Sequence, residues 1–456
     1  MRWRKGAVCQ QRHSDQSRGS LGRVRRAAAC LLVTLAASCS RSDLEPPRPL
    51  PPGAIPEAGT ETGSHPMVVC PPPRNPAPPR PCTEWRITGS DTAVFAPPTS
   101  GGGSVYLTSL VPSGDGALIS WFTISEAKTA SWETLALNLD GTPRSAIVPH
   151  LSFPTMGGVY TDVMSLAVNL SQCAFGGLVD DPASGCRFLP LDGDGNEVGP
   201  VVSLPDGTSS GCADLGPSPD GFSYISETAT HSTSLDLVTI ATDGSSRGRT
   251  PLGYAPGFGT RLVLHDQTFL LATFFENDAG GNLTYEVADY DAHGMQSAPT
   301  ATLAQNGGSI LLMAETTGGV LTSYLGFDAM AHSGQAMYVV PLSSSGVPFA
   351  ASRPLDITGT AGPIYGFSLD PSRSGDALLT WNVLDEQTDD YELFVMELQP
   401  DGSPRGGPTA LGTYEDVAGV RIQVDSDGER ALLVYSGAPV GGVGGVHALP
   451  LACATH

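Results

Sequence analysis

The sequence has few charged residues, few aromatic residues and almost no lysine. Charged residues make up 15% and aromatic residues 7% of the 456 positions, and Lys5 and Lys128 are the only lysines. No long stretch spaces its apolar residues at the 3.6-residue period of a helix. Glycine and proline are frequent instead, with 55 and 39 residues. Many turn residues without helical periodicity indicate an all-β chain.

Several motifs that carry enzyme or metal chemistry are also missing. The sequence has no H-E-x-x-H, no phosphate-binding P-loop and no dinucleotide-binding G-x-G-x-x-G. It has no C-x₂-C pair and no clustered histidines that would bind zinc. The net charge is −22, which disfavours phosphate backbones, so we expect no nucleic-acid partner.

The N-terminal residues have the pattern of a bacterial export signal. Basic residues precede an apolar stretch, Ala27 to Ala37, that is too short to span a bilayer. The following Leu35-Ala36-Ala37-Ser38-Cys39 resembles a lipobox, after which signal peptidase II cleaves and the cysteine is diacylated. We therefore predict a lipoprotein signal peptide over residues 1–38 and lipidation of Cys39. An ordinary secretory signal cleaved nearby is the alternative.

Residues 39–81 predict a disordered, proline-rich spacer. Positions 40–81 contain 14 prolines and almost no apolar runs, a composition typical of semi-rigid polyproline linkers. A proline-rich ligand for a partner domain is the alternative. Because Ser40 rather than aspartate follows the lipidated cysteine, common sorting behaviour favours the outer membrane. We expect a monomer anchored in the cell envelope by its lipid.

Residues 82–456 contain a repeat of about 50 residues, the length of one four-stranded blade. The clearest unit is Pro363 to Gly412, where apolar runs alternate with turn residues and both faces of the third run are apolar. A turn glycine follows each third strand, at Gly141, Gly195, Gly244, Gly294, Gly346 and Gly402. These spacings of 49 to 56 residues predict a seven-bladed β-propeller of four-stranded antiparallel blades.

Some of the turns resemble a known family. Ser218-Pro219-Asp220-Gly221-Phe222 and the run from Asp427 to Leu433 are similar to the SPDG hairpins of TolB-type and WD40-like bacterial propeller repeats. The repeat also resembles that of propeller lipoproteins secreted by Gram-negative bacteria. This resemblance implies a fold and not an activity.

The seventh blade lacks one strand, and the N-terminal end of the domain supplies a spare one. We predict that Thr92 to Pro97 pairs beside the strand near Val446 to Leu451 and closes the ring. Cys82 precedes the spare strand and Cys453 ends its partner, so we expect a disulfide between them.

The other cysteines suggest a second bridge. Cys173 and Cys186 flank a hairpin of one blade and are predicted to form a disulfide. Cys70 and Cys212 have no predicted partner, and buried free thiols are the alternative for the whole set. The acids Asp180-Asp181 and Asp389-Asp390 are predicted to lie in solvated turns.

One turn is a weak candidate for calcium. Asp192, Asp194 and Asn196 offer oxygen atoms at alternate positions, but the sixth and twelfth positions lack the glycine and the acid of a calcium loop. Because Asp and Gly also build hairpin turns without an ion, we expect no required cofactor, with calcium as the possible exception.

The sequence therefore favours a non-catalytic lipoprotein whose propeller head binds or scaffolds a protein or glycan partner of the envelope. The alternative is a periplasmic or extracellular hydrolase or lyase of the glycosidase kind, with a site at one end of the propeller channel. Such a site would draw single residues from distant loops, so the absence of a local motif does not exclude it.

Overall fold

The structure is a computed structural model, and the chain divides into two compact units, Met1–His65 and Pro66–His456. The described residues all lie in the second unit. They are residues 82–97, 104–154, 164–181, 185–204, 210–228, 234–254, 259–265, 268–276, 283–291, 294–307, 311–327, 335–355, 357, 362–372, 374–424 and 429–454. The predicted signal peptide, Cys39, Cys70 and the proline-rich spacer lie outside them.

The described residues form antiparallel strands joined by turns. Two short strands come first, β1 (Trp85–Ile87) and β2 (Thr92–Phe95). Three four-stranded sheets follow: β3 (Ser104–Ser113), β4 (Gly116–Ile124), β5 (Thr129–Asn138) and β6 (Val148–Pro154); β7 (Met164–Asn169), β8 (Ala174–Asp181), β9 (Gly185–Leu191) and β10 (Val202–Ser203); β11 (Ser210–Ser218), β12 (Gly221–Thr228), β13 (Ser234–Ile240) and β14 (Ser246–Tyr254).

Two eight-stranded sheets complete the domain. One contains β15 (Gly259–His265), β16 (Thr268–Glu276), β17 (Leu283–Tyr290), β18 (Ala301–Gly307), β19 (Leu312–Thr316), β20 (Gly319–Phe327), β21 (Gln335–Leu342) and β22 (Arg353–Pro354). The other contains β23 (Ile364–Pro371), β24 (Ala377–Asp385), β25 (Asp390–Leu398), β26 (Thr409–Val424), β27 (Arg430–Pro439) and β28 (Gly445–Cys453), together with β1 and β2.

The architecture is an all-β propeller with four-stranded antiparallel blades, but the structure shows five sheets and not the seven blades that the sequence predicted. Hydrogen bonding joins the described strands into five sheets. Two connections between meanders cause the difference, one a continuous strand and the other a backbone pairing. The 16-residue β26 pairs with β25 along its first part and with β27 along its second. Gly307 of β18 pairs with Gly326 of β20 and joins two further sets of four strands.

The first strands of the successive meanders form a closed cycle. β3, β7, β11, β15, β19, β23 and the second part of β26 each contact the next strand in this order, and β26 contacts β3. Side chains of these strands also form hydrogen bonds with the first strand of the neighbouring sheet. Ser109 Oγ accepts from the Leu166 amide at 3.1 Å, and Asp214 Oδ2 accepts from the Leu262 amide at 3.1 Å. These bonds satisfy polar groups on the inner strands and fix the neighbouring sheets in register.

The core lies between facing sheets, as the two apolar faces of the third strands predicted. One cluster combines Trp132 and Phe153 of one sheet with Val179 and Leu189 of the next. The third strand β25 is buried from Leu393 to Leu398, on both of its faces. Each sheet therefore depends on its neighbours for burial, which explains why the repeat occurs as a ring. Among the described residues, no helix is long and apolar enough to cross a membrane.

The predicted turn glycines are confirmed, and they have a second role. All six have positive φ, from 73° to 85°. A Cβ built on Gly195 would lie 2.5 Å from Thr134 Oγ1 of the preceding sheet. The glycine is therefore required by the turn and also by the close approach of the neighbouring sheet.

Candidate functional site

The N-terminal strands close the domain as predicted. Thr92 pairs with Ala448 and Phe95 with Val446, so β2 lies beside β28. A second piece, β1, continues the pairing from Trp85 opposite Cys453. Sequence analysis missed β1, because Trp85-Arg86-Ile87 is too short to show a strand pattern.

A disulfide joins Cys82 to Cys453, with 5.5 Å between their Cα atoms. This is the bridge that the sequence predicted at the closure. We call Cys82, β1, β2 and this disulfide the clasp. Asp91, between β1 and β2, accepts hydrogen bonds from Tyr435 and from His447 Nδ1, the latter at 3.0 Å. The clasp is thus held by backbone pairing, a covalent bond and buried polar contacts.

The predicted bridge between Cys173 and Cys186 is wrong. Cys186 is bonded to Cys212 on the first strand of the next sheet, with 5.9 Å between their Cα atoms. Cys186 lies opposite Asp180 in the ladder, whereas Cys173 precedes Ala174 at the other end of β8. Six residues of extended strand separate these positions by about 20 Å, too far for a disulfide. Cys173 is disulfide-bonded, but not to Cys186.

The acids near this bridge are also placed differently from the prediction. Asp180 and Asp181 belong to strand β8, not to a solvated turn, and Asp181 pairs with Arg187 at 2.8 Å. Burial, together with the charge of Asp181, raises the pKa of Asp180 to about 6. Asp180 lies close to the sulfur atoms of Cys186 and Cys212. Since these sulfurs are bonded to each other, they are not thiolate ligands for a metal.

Two of the calcium candidates, Asp192 and Asp194, have carboxylate oxygens that bind other groups of the protein. Asp192 Oδ1 accepts from the amides of Asp194 and Asn196, both at 2.9 Å. Asp194 Oδ1 pairs with Arg144 Nε of the preceding sheet at 3.0 Å. This geometry is an Asx-type turn docked on a neighbouring sheet.

A buried acid pair lies beneath the clasp. The carboxyl group of Glu397 is hydrogen-bonded to Asp376, and its Oε2 accepts from the Cys82 amide at 2.9 Å. Arg405 contacts both oxygens of Asp376, at 2.6 and 3.0 Å. Burial first, and then the bond and charge of Asp376, raise the pKa of Glu397 to about 8. The pair is therefore a structural support for Cys82, enclosed by protein groups.

An exposed aromatic and acidic surface lies at one end of the β23–β26 meander. Tyr365 is 52% exposed, and its ring meets the Tyr391 ring edge-on with centroids 5.7 Å apart. Register pairing brings the start of β23, the β24–β25 turn and the middle of β26 to this same end, because Asp385 pairs with Asp390 and Tyr391 with Tyr414. We call this surface the Tyr365 patch. Its exposed residues are Tyr365, Asp385, Glu386, Asp389, Glu415 and Asp416.

The charges that shift pKa values within the Tyr365 patch are all negative. Burial raises the pKa of Tyr391, and the charges of Asp416 and Asp389 and the nearby Tyr365 raise it further. Asp416 is exposed as a residue, but partial burial of its carboxyl group raises its pKa, and a hydrogen bond from the Val417 amide opposes this. No cation contributes to either shift. Sequence analysis predicted Asp389-Asp390 as a solvated turn, and Asp389 is indeed exposed, at a positive φ of 68°. It missed Tyr365, which lies near this turn only because β23 pairs with β24 in the folded sheet.

Comparisons with known proteins found solved structures of low similarity and no related family. No family model matches the sequence, and no curated protein matches it. The propeller domain of the Trilobed protease from Pyrococcus furiosus is similar at a TM-score of 0.45 and 8% identity, over 76% of this chain and 95% of that one. The Dos1 propeller is similar at 0.40 and 12%, over 77% and 79%. The acylaminoacyl peptidase of Pyrococcus horikoshii is similar at 0.46 and 9%, over 77% and 53%.

The first two of these structures are propellers, and the described sheets of this chain define the same class. The chain covers about half of the peptidase. The resemblance to TolB-type and WD40-like repeats stays a prediction from the turn residues.

Proposed function

We propose that the protein is a non-catalytic, lipid-anchored protein of the bacterial cell envelope whose propeller head binds a partner through the Tyr365 patch. The observation that carries the proposal is the exposure of Tyr365, with 52% of its surface accessible, beside five exposed carboxylates. Exposed aromatic residues within a polar rim are characteristic of binding surfaces. The chain supplies no neighbouring cation to these acids in its described part.

The anchor rests on the sequence before the head. The apolar stretch, Cys39 and the proline-rich spacer together suit a lipoprotein whose folded part stands away from the membrane. Ser40 favours the outer membrane over the inner one. On this proposal the mature chain starts at Cys39.

We also propose seven structural repeats within the five sheets. Each eight-stranded sheet contains two successive meanders of four strands, and seven first strands form the closed cycle of contacts. The last repeat is β26, β27 and β28 with β2, so that its outer strand comes from the clasp. This interpretation retains the 49-to-56-residue period of the turn glycines and treats β26 as belonging to two repeats.

Affinity isolation from detergent-solubilised envelopes tests the binding proposal. Three tagged proteins would be compared: the unmodified chain, Tyr365→Ala, and Phe349→Ala as the control. Phe349 is matched to Tyr365 because it is also 52% exposed but follows a turn glycine at a hairpin between third and fourth strands. We expect a component that co-purifies with the unmodified chain and the Phe349 variant but is lost with the Tyr365 variant. Identical recovery with all three proteins would contradict the proposal.

A further inference from the structure

The carboxylates of the Tyr365 patch have no cationic partner among the described residues. Asp385, Glu386, Asp389, Glu415 and Asp416 are exposed, and none of them forms an ion pair with a described lysine or arginine. Their recorded bonds are to backbone amides: Gln387 donates to Asp385 at 2.8 Å, and Gly441 donates to Glu415 at 3.0 Å. Elsewhere the protein pairs buried acids with arginine, as at Asp376 and Asp236.

The spacing of these acids does not suit a single metal ion. Within the described part of the chain, the one group of three potential ligands close enough to share an ion is at Asp180, far along the chain from this surface. A metal ion needs several oxygens within one coordination sphere. Carboxylates spread along two turns and a strand instead match a ligand whose positive charges are also spread out.

The aromatic rings favour the same class of ligand. A guanidinium or ammonium group is attracted to the face of a tyrosine, most strongly when the ring is also in a negative field. Tyr365 is 52% exposed, so its ring is accessible to a ligand although it also contacts the Tyr391 ring at a right angle. A neutral glycan could also stack on that ring, but it would not relieve the repulsion among five like charges.

Building on the proposed function, we infer that the Tyr365 patch binds a basic segment of a protein partner, rich in arginine or lysine. The arginine side chain stacks on Tyr365, and its neighbours pair with Asp389, Asp416 and the acids of the β24–β25 turn. The excess of acidic over basic residues, 46 against 24 in the whole sequence, draws such a segment to the protein over a longer range, in a manner that salt weakens.

Fluorescence anisotropy with labelled peptides tests this inference. The full chain carrying Cys39→Ala would be titrated with a short arginine homopeptide, a glycine–serine peptide of equal length and a neutral oligosaccharide. We expect binding of the arginine peptide that weakens as salt rises, and no binding of the other two. Tyr365→Ala should weaken the binding by about tenfold, within the range of a partly desolvated cation–π contact. Tyr365→Phe, which keeps the ring, should retain it.

Matched variants separate local recognition from the general acidity of the head. Asp389→Asn and Asp416→Asn together should weaken binding several-fold and reduce its dependence on salt. Asp243→Asn removes an exposed charge at a distant hairpin turn, and this change and Phe349→Ala should have no effect. Equal binding by all variants, or binding of the oligosaccharide instead of the arginine peptide, would overturn the inference. If the arginine peptide does not bind but affinity isolation of a component still depends on Tyr365, the inference is wrong and the proposed function is still supported.

Discussion

Glu397 is a side chain whose ionisation depends on folding. Its pKa is raised from 4.5 to about 8 by burial and by Asp376. Between these values the native protein keeps a proton that the unfolded chain releases. The unfolded state therefore binds fewer protons, and the free energy of unfolding falls as pH rises through this window.

Glu397→Gln should remove this pH dependence. The amide keeps an acceptor for the Cys82 amide and a donor for Asp376, but it does not titrate. Urea unfolding at a series of pH values between 4.5 and 8 would measure the effect. We expect the stability of the unmodified chain to decrease with pH relative to that of the variant. The control is Glu392→Gln, an exposed glutamate on the same strand, which should run parallel to the unmodified chain. If stability changed with pH in the same way for all three proteins, the pKa of Glu397 would not be raised on folding.

A substitution at Gly195 tests whether the turn glycines are needed for the close approach of the neighbouring sheet. Gly195→Ala places a Cβ against Thr134 Oγ1 and strains a φ of 85°, so we expect a loss of about 1–3 kcal/mol in the free energy of unfolding. Gly407→Ala is the control, because a Cβ at that exposed position meets nothing within 4 Å. The midpoints of denaturant unfolding of the two variants would measure the loss of stability at each position. A loss at Gly407 as large as that at Gly195 would argue against a packing role.

Single residues differed in how far the sequence could predict them. The turn glycines could be predicted because local backbone geometry demands them at every repeat. The bond between Cys186 and Cys212 could not, because it depends on the lateral position of two neighbouring sheets. Tyr365 was missed because a tyrosine within an apolar run does not show whether its ring faces the core or solvent.

At the scale of elements, the clasp is the feature that sequence analysis predicted best. The last repeat lacked one strand, and one extra strand preceded the first repeat. The two were therefore predicted to pair, and β2 pairs with β28. The structure has five sheets and not the predicted seven blades, partly because β26 continues from one meander into the next without a break. Strand patterns give apolar faces and turns, but they do not show whether a strand bends or ends between two partners.

The two described disulfides allow a matched test of the clasp. Cys82 and Cys453 are separated by 371 residues, and Cys186 and Cys212 by 26. In the chain-entropy model the longer loop contributes about 2 kcal/mol more. Replacing both clasp cysteines by alanine should therefore destabilise the oxidised protein more than replacing Cys186 and Cys212. Denaturant unfolding of the two double variants would measure this. A larger loss from the shorter loop would contradict the entropic role of the clasp.

At the scale of the whole molecule, the account predicts an anchored head. Cys39→Ala should move the protein from the membrane fraction to the soluble fraction, because the single acylation site is lost. Fractionation followed by immunoblotting measures this, with Ser40→Ala as the control that keeps the cysteine. Unchanged membrane association of the Cys39 variant would require another anchor.

The central claim is that the closed ring presents one binding surface, at the loop end of the β23–β26 meander. Photo-crosslinking in intact cells tests it most directly, with a photoreactive residue in place of either Tyr365 or Phe349. The account predicts a discrete crosslinked product from position 365 and none from position 349. Crosslinking at position 349 alone, or at neither position, would contradict it.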